Sequence, residues 1–196
     1  IPYLSFFQTC DPDQIRNNYR ALEEALGCAL PVEQDWEAVW ETARAVARRH
    51  AGKTIAVGAA FDYEPFKLAM DLSRMGLQVQ KVFANSVGAS DLPYLRWLEE
   101  HRPEMELYFG SEPESLGFAY CTEGVDLTIG LEASFFLRCP STRRLATGEE
   151  PFEFLGLRTF LEQIGQALEQ EPAAPAPAGE PDPYGRDWSI YRKELR

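Results

Sequence analysis

The sequence predicts a doubly wound α/β domain: a mostly parallel, Rossmann-like sheet of about four to five strands, with a helical lead-in and a flexible C-terminal tail. Three observations carry that expectation. From Lys53 onward, short apolar runs alternate with segments of helical period, the pattern of parallel strands joined by crossover helices. Small residues follow most of the runs, where strands turn into helices. The 196 residues suffice for one sizeable core with small attachments, and 45% hydrophobic content excludes global disorder.

The lead-in covers residues 1–51. Asp11-Pro12-Asp13-Gln14 has the form of a helix start, with Asp11 as cap, Pro12 at the first position and Gln14 completing a capping-box pattern. Ile15, Tyr19, Leu22 and Leu26 share one face of that helix, and Gly27 stops it. A second amphipathic helix carries Trp36, Val39, Trp40, Ala43, Val46 and Ala47 and ends near His50.

The α/β domain spans 52–170. Thr54 to Gly58 is the first strand, and Asp62 and Pro65 open a helix with Phe66, Ala69, Met70 and Ser73 on one face, closed by Gly76. Val79 to Ala84 is the second strand, followed by a helix from about Asp91 to Glu100 that buries Leu95 and Leu98. Glu106 to Phe109 is the third strand, and Ser111-Glu112-Pro113-Glu114 starts another helix. Asp126 to Gly130 is the fourth strand, Ala133 to Leu137 a short helix, Arg143 to Ala146 a weaker strand, and Phe154 to Glu169 the last helix. Residues 171–183 form a Pro/Ala-rich linker, and 184–196 a tail whose Trp188, Tyr191 and Leu195 are spaced for a short docking helix.

A net charge of −12, with 19 basic residues in no aromatic-interleaved stripe, argues against nucleic acid. No apolar run reaches the length of a membrane span, and the N-terminus lacks the order of a signal peptide, so a cytoplasmic protein with no membrane partner is expected. The first residue, Ile1, suggests a segment cut or processed from a longer protein. Cys10, Cys28, Cys121 and Cys139 form no close pair, so no metal site is expected and each reads first as a small buried hydrophobe. His50 and His101 fall at helix C-terminal ends, where an imidazolium interacts well with the helix dipole, and read as structural.

Ligands of open parallel sheets collect at the carboxyl ends of the strands. That rule selects Gly58 and Ala59 after the first strand, Asn85 and Ser86 after the second, Gly110 and Ser111 after the third, and Gly130 and Glu132 after the fourth. Small residues there let backbone N–H groups approach an anion, although sharp turns need small residues without any ligand. The dinucleotide fingerprint is missing after Gly58, and Gly52-Lys53-Thr54 enters a strand instead of following one, so it is a strand start and not a phosphate loop. The nucleophile elbow G-x-S-x-G is absent, and no catalytic residue is assigned.

Several segments together resemble the C-terminal domain of nitrogenase component 1-type oxidoreductases. They are Gly52 to Val57, the helix from Phe66 to Met75 with Gly76-Leu77-Gln78-Val79, Val125 to Gly130, and Phe154-Leu155-Gly156. Upstream, Gln8 to Pro12 and Asn18-Tyr19-Arg20 resemble the segment that joins earlier domains, so the likeness runs from about Gln8 to Glu169. The resemblance implies a multidomain subunit, paired with a homologous component 1-type subunit or with itself as a dimer. An iron-sulfur or larger metal cluster would lie between domains and be supplied with electrons by an ATP-dependent iron-sulfur reductase. Cluster cysteines of such proteins lie mainly in earlier domains, so no cofactor is expected in this segment alone.

In the catalytic nitrogenase subunit a histidine before the last helix binds the cofactor. The matching Arg143 to Gly148 contains none, which favours a relative with another substrate, an assembly scaffold or a non-catalytic partner subunit. Two other readings stay open: a small-molecule or nucleotide-sugar binding module, and a non-catalytic interaction domain.

Overall fold

Helix α1, Pro12–Leu26, begins where Asp11 takes an extended conformation and its Oδ1 accepts the Asp13 N–H at 2.9 Å. Gln14 does not close the expected capping box; its Nε2 donates to Asn18 Oδ1 instead. The helix stops at Gly27, whose φ of 62° is the left-handed conformation that a Cβ disfavours. These features belong to the computed structural model of the chain, which describes residues 9–59, 64–109, 124–137, 142–145, 151 and 153–171. The expected helix at Ser111, the linker and the tail lie outside the described residues.

Helix α2, Val32–Arg49, is followed by β1, Thr54–Val57, α3, Pro65–Arg74, and β2, Gln78–Ala84. A 3₁₀ turn, Ala89–Asp91, leads into α4, Leu92–His101, and then β3, Glu106–Phe109. The second half contributes β4, Leu127–Ile129, α5, Leu131–Phe136, β5, Arg143–Leu145, and α6, Glu153–Glu169. The five strands form one all-parallel sheet in the order β3-β2-β1-β4-β5. This is the expected doubly wound, Rossmann-like α/β fold.

The sheet divides two cores. Ile55, Val57, Val79, Val82, Leu127 and Ile129 pack with α1, α2, α3, α4 and α6, including Val39, Phe66, Leu72, Leu98 and Leu161. Ala56 and Phe83 join Val125, Ala133 and Leu137 in a second cluster that includes α5. There the rings of Tyr108, Phe83 and Phe136 stack in series, with centroids 4.9 and 5.4 Å apart. Burying aromatic faces in this way adds to the area term that drives packing.

Asp71, Lys81 and Asp91 are buried, and the sequence pattern placed none of them inside. Lys81, 2% exposed, lies in register with Glu106 on the neighbouring strand; its Nζ donates to Glu106 Oε2 at 2.7 Å and Tyr108 Oη at 3.3 Å. Burial works against the ammonium, but Glu106 and Tyr108 outweigh it and raise the Lys81 pKa. Asp71 on α3 is buried beside Lys67, whose Nζ donates to Asp71 Oδ2 at 2.6 Å and to Thr9 Oγ1 at 2.8 Å. Burial pushes the Asp71 carboxyl up to about 6 against the pull of Lys67. One turn on, Arg74 pairs with Asp11 and Asp13, both at 2.8 Å, so α3 is cross-linked to the start of α1.

Two expectations about single residues are corrected. Cys10 is buried, but Cys28 is exposed, because it follows the glycine that ends α1 and faces no core. His50 does close α2, yet burial lowers its pKa, so the site favours neutral imidazole over the imidazolium expected at a helix end. His101 stacks on Trp97 with centroids 4.4 Å apart, which is a structural role.

Candidate functional site at the carboxyl ends of the strands

Chain connectivity makes a crevice between β1 and β4. After β1 the chain proceeds to α3, which packs in the larger core, and after β4 to α5, which packs in the smaller one. The two strands are neighbours, so their following loops part over the sheet edge, the place where ligands of such folds bind.

Two glycines let the strands' ends meet. The Gly58 N–H donates to Ile129 O at 2.8 Å, extending the β1–β4 pairing by one step. A Cβ on Gly58 would lie 2.7 Å from Ala133 N and 3.2 Å from Glu132 Oε2. Gly130 has φ 92° and ψ 161°, a region open essentially to glycine alone, and a Cβ there would come within 2.6 Å of Ala59 O. Both glycines are therefore required by close approach, whatever a ligand does.

Glu132, in the first turn of α5, reaches across this junction. Its Oε1 accepts the Asn85 Nδ2 at 3.3 Å, bringing the end of β2 into the same group. Its Oε2 is buried and has no hydrogen-bond partner among the described residues. Thus the structure brings together Gly58, Ala59, Asn85, Gly130 and Glu132 from three loops. Ser86 is exposed next to Asn85 and makes no hydrogen bond to the group among the described residues. Gly110 and Ser111 lie outside the described residues. The rim beyond Asn85 is apolar: Val87 is 44% and Leu92 46% exposed.

Two backbone donors at this junction are committed within the fold. The Gly58 N–H is spent on Ile129 O and the Ser134 N–H on Gly130 O at 3.2 Å.

Elsewhere the chemistry is structural. Lys53 donates to Asp126 Oδ1 at 2.8 Å, and Asp126 Oδ2 accepts the Thr54 N–H at 2.9 Å, pinning β1 and β4 at their amino ends. Those contacts outweigh burial and hold the Asp126 carboxyl below its usual range. A shallow pocket of about 110 Å³ opens at the same amino-terminal end, lined by His50, Lys53, Ile55, Gln78 and Leu168 among others. It is far below the roughly 300–1,000 Å³ of ordinary ligand pockets and lies opposite the crevice. Among the described residues, no group of three or more His, Cys, Asp or Glu is arranged to hold a metal ion, and no helix is long and apolar enough to cross a membrane.

No family model matches the chain, and no curated protein matches it. Solved structures do. A structure of nitrogenase Cp1 at pH 6.5 is similar with a TM-score of 0.62 and 17% sequence identity, over 80% of this chain and 37% of that one. At that identity the likeness shows the fold, which is nitrogenase-like. This chain spans little more than a third of the length of the protein it matches.

Proposed function

We propose that this chain is the C-terminal domain of a nitrogenase-like, component 1-type oxidoreductase subunit, forming one wall of a metallocluster or substrate cleft and part of a subunit interface. The observation that carries the reading is the crevice between β1 and β4 on a fold that matches 37% of a nitrogenase chain, with Val87 and Leu92 exposed in the segment after β2. Apolar side chains beside a ligand crevice are what a facing domain covers.

A cluster does not fit the described residues of this wall. Cys10 is packed in the core and Cys28 follows the end of α1, Cys121 and Cys139 lie outside the described residues, and the described residues of the crevice offer carboxylate and carboxamide groups without a thiolate. The wall therefore shapes and closes the cleft, with cluster ligands supplied by other parts of the assembly, and the isolated chain turns over no substrate. A nucleotide-sugar module is the weaker reading, because the Glu132 carboxylate stands where such a module needs room for phosphate.

The test is to purify, without oxygen, the natural gene product that contains this segment and to measure its iron and acid-labile sulfide. Iron and sulfide in cluster stoichiometry, with visible absorbance that bleaches in air, support the reading. A gene product free of iron and sulfide would sink it.

A further inference from the structure

We propose that Asp71 operates a proton-sensitive latch, which holds the segment Thr9 to Asp13 at the start of α1 against α3. The device lies apart from the crevice and does not depend on it.

The latch is built from side chains on two elements. Arg74 on α3 binds two carboxylates at once, Asp11 Oδ2 through Nη1 and Asp13 Oδ2 through Nη2, both at 2.8 Å. Earlier on the same helix, Lys67 Nζ donates to Asp71 Oδ2 at 2.6 Å and to Thr9 Oγ1 at 2.8 Å. That Thr9 oxygen also accepts the Asp11 N–H at 3.0 Å, so both cations of α3 reach the same short stretch of chain. From α4, the Tyr94 ring lies under Lys67, its centroid 5.8 Å from Nζ.

Charge counting shows why Asp71 is the moving part. Three carboxylates, Asp11, Asp13 and Asp71, share the two cations Lys67 and Arg74. Other cations of the neighbouring elements are engaged elsewhere: Arg16 and Arg20 on α1 bind Glu33, and Arg102 after α4 meets α3 at Ser73. With Asp71 protonated the cluster is neutral, and with Asp71 ionised it carries one negative charge in excess. Asp71 is the member least able to bear that charge. Its side chain is 1% exposed and its Oδ1 has no hydrogen-bond partner among the described residues, whereas Asp11 and Asp13 keep 17% and 42% exposure. An incompletely paired, desolvated charge is costly.

The sign of the switch follows. Burial pushes the Asp71 carboxyl up to about 6 in the closed state, while a solvated aspartate titrates near 4, so the closed state holds the proton more tightly. The latch is fully favoured below about pH 4 and loosens as pH rises through 6, when opening Thr9 to Asp13 gives the carboxylate access to water. On the reading of this chain as a C-terminal domain, that segment is where earlier domains join, and the latch then sets how freely they turn against this one.

The experiment is native-state hydrogen exchange of the 196-residue chain, read by NMR at the amides of Asp11, Asp13 and Ile15 at about pH 5 and about pH 7, with and without dilute urea. After correction for intrinsic exchange, the opening constant of these amides should rise at least about fivefold from the lower to the higher pH. Urea should leave it unchanged, because a local opening exposes little surface, while Leu161 and Ile164 in α6 should respond to urea. Asp71→Asn, which keeps the shape and carries no titrating proton, should abolish the pH step. Equal opening at both pH values, the same step in Asp71→Asn, or a urea dependence matching that of α6 would each overturn the proposal. If the variant does not fold, the wild-type pH step and its urea dependence decide the matter alone. The iron and sulfide measurement is independent of this exchange, so either reading can fail while the other stands.

Discussion

Replacing Gly130 by alanine should be among the most damaging single-methyl additions to this protein, and the structure indicates by how much. Its φ of 92° with ψ of 161° lies where only glycine rests without strain, a penalty of about 1–3 kcal/mol for any other residue. The added Cβ would also meet backbone atoms, Ala59 O at 2.6 Å and Gly58 C at 2.9 Å, which cannot swing aside as a flexible side chain would. Overpacking of that kind costs about 1–3 kcal/mol more. Gly27 supplies the control. It too has positive φ, 62°, but a Cβ there meets nothing within 4 Å, leaving only backbone strain of about 1–2 kcal/mol. For a chain of this size each kcal/mol shifts Tm by about 2–4 °C. Gly130→Ala should therefore lower Tm by about 8–16 °C and Gly27→Ala by about 3–6 °C in calorimetric scans of the same preparation. Equal shifts for the two variants would refute the idea that the β1 and β4 turns are locked by direct backbone contact.

Other expectations follow from the buried charges. Asp71 holds its proton to about pH 6 in the fold, whereas an unfolded aspartate releases it near pH 4, so its contribution is fully present below about pH 4 and is lost as pH rises through 6. Urea midpoints of wild type and Asp71→Asn, compared from pH 4 to 7, should converge or cross in the variant's favour by on the order of 2 kcal/mol; a constant gap would contradict the raised pKa. On the sheet, Lys81→Met should change stability by less than about 1 kcal/mol, because the ammonium's burial penalty disappears with its pairing. Glu106→Ala should cost about 2 kcal/mol, since it strips Lys81 of its carboxylate while leaving the ammonium inside; a larger loss for Lys81→Met than for Glu106→Ala would reverse the argument.

Local signals in the sequence marked the ends of elements well. Asp11 with Pro12, Gly27, Pro65 and Gly76 stand where helices begin and end, and Glu106–Phe109 is a strand with the expected bounds. Helix α5 was displaced: Leu131 and Glu132 are helical because the turn at Gly130 is sharper than a turn of small residues suggests. Asp71 was missed because α3 is buried well beyond the apolar face that Phe66 and Ala69 define, and periodicity marks a buried charge as solvent-facing. Lys81 had a visible signal, a lysine between Val79 and Val82 with a glutamate available on a neighbouring strand. The register that pairs them is a tertiary fact. The same limit applies to the crevice, where Gly58, Gly130 and Glu132 were legible as strand-end residues, but the close approach of Gly58 to α5 and of Gly130 to Ala59 was not.

The pin between Lys53 and Asp126 joins residues 73 positions apart, while β1 and β2 are joined through a single intervening helix. Closing the longer loop costs more chain entropy, and contacts of high sequence separation slow folding. The kinetic consequence is an ordered assembly in which β1, α3 and β2 come together before β4 arrives. The crevice, built on β1 and β4, is then among the last features to form, and its two glycines are read by the chain only after half of the sheet already exists.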